Sequence, residues 1–198
     1  MTEQSAPRRR GRPRGSSDSR ARIIAAAVDE FGERGYDGST IRSIAARAGV
    51  DSALVHHYFG TKADLFADAV GIPLRPDVDV PAIVAGPRDE VGERLVRYVL
   101  EAFEDPDVQR RGVMLMRTAI GSRLTTPLLA GFISRELIGR IARALDAPDA
   151  ELRASLVASQ ISGLLLTRHV LKFSSMAAAS VDDLVERIGP TVQRYLFD

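Results

Sequence analysis

The chain has 198 residues, 45% of them apolar, and Gly and Pro together supply only 26, which is the composition of a globular fold with a sizeable core. No window approaches the roughly 18 uninterrupted apolar residues of a membrane span, and the lack of cysteine excludes disulfides and thiol nucleophiles. The arginine-rich start has no apolar run behind it, so no secretory signal is expected and the cytoplasm is the expected compartment. The net charge of +1 conceals an asymmetry. Residues 1–22 hold seven arginines against Glu3 and Asp18, a net of +5, while the remainder holds 20 basic and 24 acidic groups, a net of −4. A basic end on a slightly acidic body points to a localised contact with a polyanion, or to a merely solvated end if no binding element lies beside it.

Residues 1–16 are too poor in apolar side chains to offset their own ordering entropy and read as a disordered basic arm. Within it Arg10, Arg12 and Arg14, spaced by Gly11 and Pro13, resemble the core of an AT-hook. Such a slim extended unit can enter a narrow minor groove, although plain attraction to phosphate explains the same arginines. A first helix is predicted from Ser17 or Asp18 to Arg34, with Gly35 as its left-handed stop and Ile23, Ile24, Ala27, Val28 and Phe31 as its apolar face.

The densest stretch is Ser39 to Phe66. Ser39 or Thr40 can cap a second helix, Ile41 to Ala48, whose inward residues are Ile41, Ile44, Ala45 and Ala48; Gly49 breaks it and Val50 plugs the turn. Asp51 can cap a third helix from Ser52 to about Tyr58, with Val55 and Phe59 inward and Ser52, Ala53, His56, His57 and Tyr58 outward. That outward face is short, polar and aromatic, suited to a major groove. Thr61 and Asp64 make a capping-box-like start to a fourth helix and leave Lys62 in its first turn, beside amide groups that favour phosphate. His56 and His57 are adjacent and so point about 100° apart, which excludes chelation of one metal ion by the pair.

These residues carry a family resemblance. Gly35-Tyr36, Thr40, Ile44-Ala45, Ala48-Gly49-Val50, Tyr58-Phe59, Lys62 and Leu65 stand in the order and register of the DNA-binding domain of TetR-family transcriptional regulators, and the chain from Ile23 to Leu65 resembles it throughout. The resemblance implies that Ser39, Thr40, Tyr58 and Lys62 grip phosphates while Ser52, Ala53 and His57 approach base edges. His56 is a departure, since the family commonly has tyrosine there; it remains on the outward face as a candidate contact, with DNA affinity that rises on protonation as a corollary.

Four prolines between Gly71 and Pro87 predict a bent connector over 71–88, with at most one short turn around Val80 to Ala85, packed on the body through Ile72, Leu74, Val78, Val80, Ile83 and Val84. Five helices are predicted beyond it: Asp89 to Asp105, Asp107 to Ile120, Pro127 to Leu145, Ala150 to Phe173 and Val181 to Phe197. The fourth is dense in apolar and small residues and should be buried on more than one side. No alternating strand pattern occurs, so the expected fold is all-α: a three-helix helix-turn-helix domain over 17–70 and a helical ligand-binding and dimerisation domain over 89–198. Composition alone permits a monomer. The resemblance implies a homodimer on a pseudo-palindromic operator in double-stranded DNA, through Ser155, Ser159 and Gly163 among others, with half-sites about 10 bp or a multiple apart.

It also implies a small-molecule effector in the second domain. The candidate lining is Tyr98, Phe103, Met114, Arg117, Phe132, Leu137 and Gln160, with an exposed or ion-paired position as the competing explanation of Arg117. No cofactor or metal is expected. With three histidines, no cysteine, no phosphate-binding glycine loop and no clustered carboxylates, catalysis ranks far behind DNA-binding regulation. The expected function is repression relieved by an effector; constitutive DNA binding with a collapsed second domain is the alternative.

Overall fold

A computed structural model describes residues 15–72, 75–119, 125–145 and 147–198, and Arg10, Arg12 and Arg14 lie outside them. The described residues form helices and connecting turns and contain no strand.

The N-terminal unit comprises α1 (Gly15–Gly38), α2 (Ile41–Ala48), α3 (Ser52–Phe59) and α4 (Lys62–Val70). Helical geometry in α1 breaks at Gly35, whose φ of 71° and ψ of 173° lie in a region open essentially to glycine alone. It is therefore an extended positive-φ hinge, not the left-handed stop expected, and it swings Tyr36 into the core. Ile23, Ala27, Phe31, Ile44, Val55, Phe59, Leu65 and Phe66 form that core with Tyr36, and each large apolar side chain stabilises it by about 1.5–3 kcal/mol. Val28, expected inside, is 49% exposed, while Glu30 is buried. The α1 stripe has rotated toward Glu30 because Arg47 of α2 supplies a partner at 3.0 Å, which makes burial of that carboxylate tolerable.

The connector is more ordered than its prolines suggest. It contains α5 (Pro76–Val84). Pro76 occupies the first turn, where its missing N–H costs nothing, and only Pro81 interrupts the hydrogen-bond ladder. Pro76, Val80 and Ile83 are buried, whereas Val78 is exposed. Leu74 lies outside the described residues.

The body comprises α6 (Val91–Ala102), α7 (Pro106–Ala119), α8 (Thr125–Phe132), α9 (Gly139–Leu145), α10 (Ala150–Leu165), α11 (Ser174–Ala178) and α12 (Val181–Phe197). α6 and α12 run antiparallel in close contact. A Cβ on Gly92 would lie 2.5 Å from the backbone of Gly189 and Gln193, so only glycine permits this crossing, which the Gly92 N–H seals by donating to Gln193 Oε1 at 2.8 Å. Arg97 pairs with Asp182 at 2.7 Å farther along. α12 continues through Pro190 without interruption.

Two helices widen into π-helical turns, Ile133–Ile138 between α8 and α9 and Leu166–Val170 after α10. The helix predicted to reach Phe173 thus ends earlier; Lys172 adopts a left-handed φ of 54° and α11 starts separately. α10 is also less enclosed than its composition implies. Ala150, Ala154, Val157 and Leu164 face the core, but Leu152, Leu156, Ser159 and Gly163 are all exposed.

Candidate nucleic-acid interface and the cavity behind it

The reading unit is fixed by caps at nearly every helix end. Thr40 and Ser43 satisfy each other across the start of α2, the Ser43 N–H donating to Thr40 Oγ1 and the Thr40 N–H to Ser43 Oγ, both at 3.0 Å. At the other end Gly49 is left-handed (φ 65°, ψ 40°), and Val50 N–H returns to Ala45 O. Arg22 donates to Ala48 O at 2.5 Å, so α1 neutralises the end of α2. Asp51 Oδ1 accepts from Ala53 N–H at 2.7 Å and begins α3. The turn between α2 and α3 is therefore determined by local chemistry, and with it the presentation of α3.

Ala53, His56 and His57 are exposed on α3, while Ser52 and Tyr58 are half-buried and Val55 and Phe59 anchor the opposite face. His56 Nδ1–H donates to Gly60 O at 2.8 Å. A carbonyl can only accept, so this bond fixes the proton on Nδ1 and leaves Nε2 outward as an acceptor, or as a donor once protonated. Histidine in place of tyrosine thus closes the end of α3 as well as facing outward. The His57 and Tyr58 rings meet edge to face at 5.5 Å.

Two of the predicted phosphate contacts are placed differently. Ser39 is 1% exposed, its hydroxyl donating toward Gly35 O at 2.7 Å and Glu30 O at 3.1 Å. It ties the Gly35 hinge within α1 to the start of α2 and offers nothing to a ligand outside. Thr40, not Ser39, is the exposed hydroxyl at this corner. The Lys62 ammonium sits 4.3 Å from the Tyr36 ring centroid, and partial burial lowers its pKa from the ordinary lysine value. Reaching a phosphate requires leaving that ring. Sequence reasoning also passed over Arg42, exposed in the first turn of α2 and without an ion-pair partner among the described residues; its place two residues after the Thr40 cap is the signal that could have found it.

Behind this unit lies an apolar cavity of about 280 Å³ between α5, α6, α7, α10 and the α8–α9 segment. Tyr98, Phe103, Phe132 and Leu137 line it. Met114, Arg117 and Gln160 do not. α7 turns Val108, Leu115 and Met116 inward, which places Met114 and Arg117 on the outer face, Met114 with 65% exposure. On α10, Val157 and Ile161 face the cavity, and Gln160 lies off its wall. The wall also includes Asp79, from the connector that the sequence marked as a link only. The Tyr98 hydroxyl is held to Asp79, and burial together with that carboxylate pushes its pKa above the ordinary tyrosine value.

Cavity and reading unit share a side chain. Phe132, at the end of α8, lines the cavity and is 1% exposed in the N-terminal core. Its ring stacks on Phe66 of α4 at 4.6 Å and meets Tyr36 edge to face at 5.4 Å. The Tyr36 hydroxyl donates to Glu136 at 2.7 Å, and Arg135 pairs with Asp37 at 2.7 Å. The first π-helical turn therefore begins where the two units are joined.

This architecture defines a helix-turn-helix protein whose second, all-helical unit encloses a cavity. Residues 23–69 match the family described as bacterial regulatory proteins, tetR family, and residues 89–196 match the tetracyclin repressor-like C-terminal domain. The HTH-type transcriptional regulator BetI of Agrobacterium fabrum is 31% identical over 176 residues, covering 84% of each chain. The HTH-type transcriptional repressor Rv3405c of Mycobacterium tuberculosis is 37% identical over 117 residues; the match spans 56% of this chain and 62% of that protein's length. A crystal structure of a TetR-family regulator from Streptomyces coelicolor superposes with a TM-score of 0.50 at 33% identity, covering 96% of this chain and all of the other. The chain belongs to the TetR family.

Proposed function

We propose that the protein is a dimeric, sequence-specific DNA-binding repressor released from its operator by a small molecule held in the cavity. The observation that carries this reading is Phe132, one ring in both the cavity wall and the core that supports α3 and α4. An occupant that favours one placement of this ring biases the setting of the reading helix, and it shifts the equilibrium only by the difference in its affinity for the two settings.

DNA engages the exposed face of α3 through Ala53 and His57, with His56, Thr40 and Arg42 at its edges and the N-terminal arm adding phosphate contacts. The dimer face is the outer side of α10, where Leu152, Leu156, Ser159 and Gly163 recur at steps of four, three and four. A Cβ on Gly163 would meet nothing within 4 Å in the single chain, which leaves room for a close partner helix. The cavity favours regulated over constitutive binding, since a protein without an effector has no use for an unfilled apolar core.

The test is genome-wide recovery of bound DNA followed by titration of the recovered fragments. Binding to a pseudo-palindrome that His57→Ala weakens by about 1–3 kcal/mol at that site supports the reading. Equal affinity for recovered and scrambled fragments refutes it.

A further inference from the structure

We propose that the cavity's occupant is an organic cation, a protonated or quaternary amine on a compact apolar body, with its charge against Asp79 and its body against Phe103 and Phe132. This rests on the reading of the cavity as an effector site and specifies what that site accepts. Of the described side chains on the wall, only Asp79, Tyr98 and Ser162 carry oxygen or nitrogen atoms, and among them Asp79 alone carries a formal charge. Asp79 is half-buried on the wall, in the first turn of α5, and its local partners do not use all of its acceptor capacity. Its Oδ2 accepts the Arg75 backbone N–H at 2.7 Å, and the Tyr98 hydroxyl is its other partner. A carboxylate offers roughly four acceptor positions, so capacity remains.

The Arg75 guanidinium is committed elsewhere. Arg75 Nε lies 3.3 Å from Asp64 and its Nη2 4.0 Å from Asp77, so both neighbouring acids draw on it. Among the described residues no basic side chain comes within ion-pair distance of Asp79. An anionic ligand would be repelled by Asp79 and a neutral one would gain nothing from its charge, whereas an ammonium group pairs with it. The aromatic rings add to the selection, because the faces of Tyr98, Phe103 and Phe132 attract a cation and repel an anion. A volume of about 280 Å³ limits the occupant to a small molecule.

Calorimetric titration of the full-length protein with four probes of similar shape tests this: benzyltrimethylammonium, phenethylamine, phenethyl alcohol and phenylacetate. Both cations are expected to bind at least about tenfold more tightly than the alcohol, and phenylacetate not at all. Asp79→Asn keeps an acceptor for the Arg75 N–H. It should lower cation affinity at least about tenfold and leave alcohol affinity unchanged, with the melting temperature confirming the fold. Tyr98→Phe, which removes a competing donor, should retain cation binding. Equal binding of alcohol and amine, cation affinity unaltered in Asp79→Asn, or no cation binding overturns the proposal. Asp79-dependent cation binding that leaves operator affinity unchanged would uphold the cation site and defeat the repressor-release reading. Release of operator by the alcohol alone would do the reverse.

Discussion

Ser39 and Thr40 are adjacent hydroxyls with opposite duties, and burial separates them. Ser39 bonds two carbonyls inside the N-terminal core, while Thr40 stands exposed as a cap. Ser39→Ala should therefore lower unfolding free energy by about 1–3 kcal/mol, because the buried carbonyls lose their donor, and should leave the salt dependence of DNA binding unaltered. Arg42→Ala should do the opposite: stability within about 0.5 kcal/mol of wild type, and a plot of log affinity against log salt shallower by about one. Denaturant melts and anisotropy titrations over a salt series measure both. His169 gives a pH prediction. It is 7% exposed, with the Gln109 side-chain N–H donating to its Nδ1 at 3.1 Å and the Phe103 ring tilted against it at 5.2 Å. Burial, then the charge of Arg168, lowers its pKa from the ordinary 6.5; Glu104 opposes this and Lys172 adds the smallest contribution. As pH falls through that value the unfolded chain takes up the proton first, so stability should fall below about pH 6.5. His169→Phe should flatten this part of the pH–stability curve; an unchanged slope would show that the imidazole does not titrate as its burial requires.

At the scale of elements, the helix-turn-helix was the most legible part. Thr40, Gly49, Asp51 and Thr61 are local signals whose partners lie within a few residues, so α2, α3 and α4 could be bounded from sequence. α5 was not legible, because its two prolines mask a helix that begins on one of them. The π-helical turns were invisible too, since an inserted residue leaves the apolar pattern nearly intact and is settled by what packs across it. On α10 the pattern showed apolar density and not which side would be covered. Leu156→Glu puts a charge at the centre of its exposed stripe, where the side chain is already 38% exposed. The variant should keep its fold, sediment as a monomer and lose operator affinity by more than about tenfold as two-headed binding is lost. A dimer that survives this change would place the interface elsewhere.

At the scale of the molecule, the two units are joined through aromatic packing and a few polar contacts. Phe132, Phe66, Phe31 and Tyr36 form one ring cluster, reinforced by the Tyr36–Glu136 and Arg135–Asp37 contacts. The family resemblance made Phe132 a candidate cavity residue but could not show its second membership, which depends on α8 lying against α1. Phe132→Ala should cost about 3–5 kcal/mol. The milder Phe132→Leu should keep the fold and DNA binding but reduce effector-induced release, measured as the shift in operator affinity at saturating effector. Coupling that is undiminished in the leucine variant would assign the transmission to the polar contacts instead.

The double membership of Phe132 also bears on how such a cavity can diverge. With an effector in the cavity, as proposed, a substitution there is judged twice, once by the occupant and once by the N-terminal core, so altered chemical preference without loss of operator recognition is hard to reach through this position. Leu95, Leu115 and Ile161 face the same space and belong to no part of the N-terminal core. Under the proposed function, they are the positions at which a lineage, or an engineer seeking a new sensor, can change what is detected while leaving intact the means of reporting it.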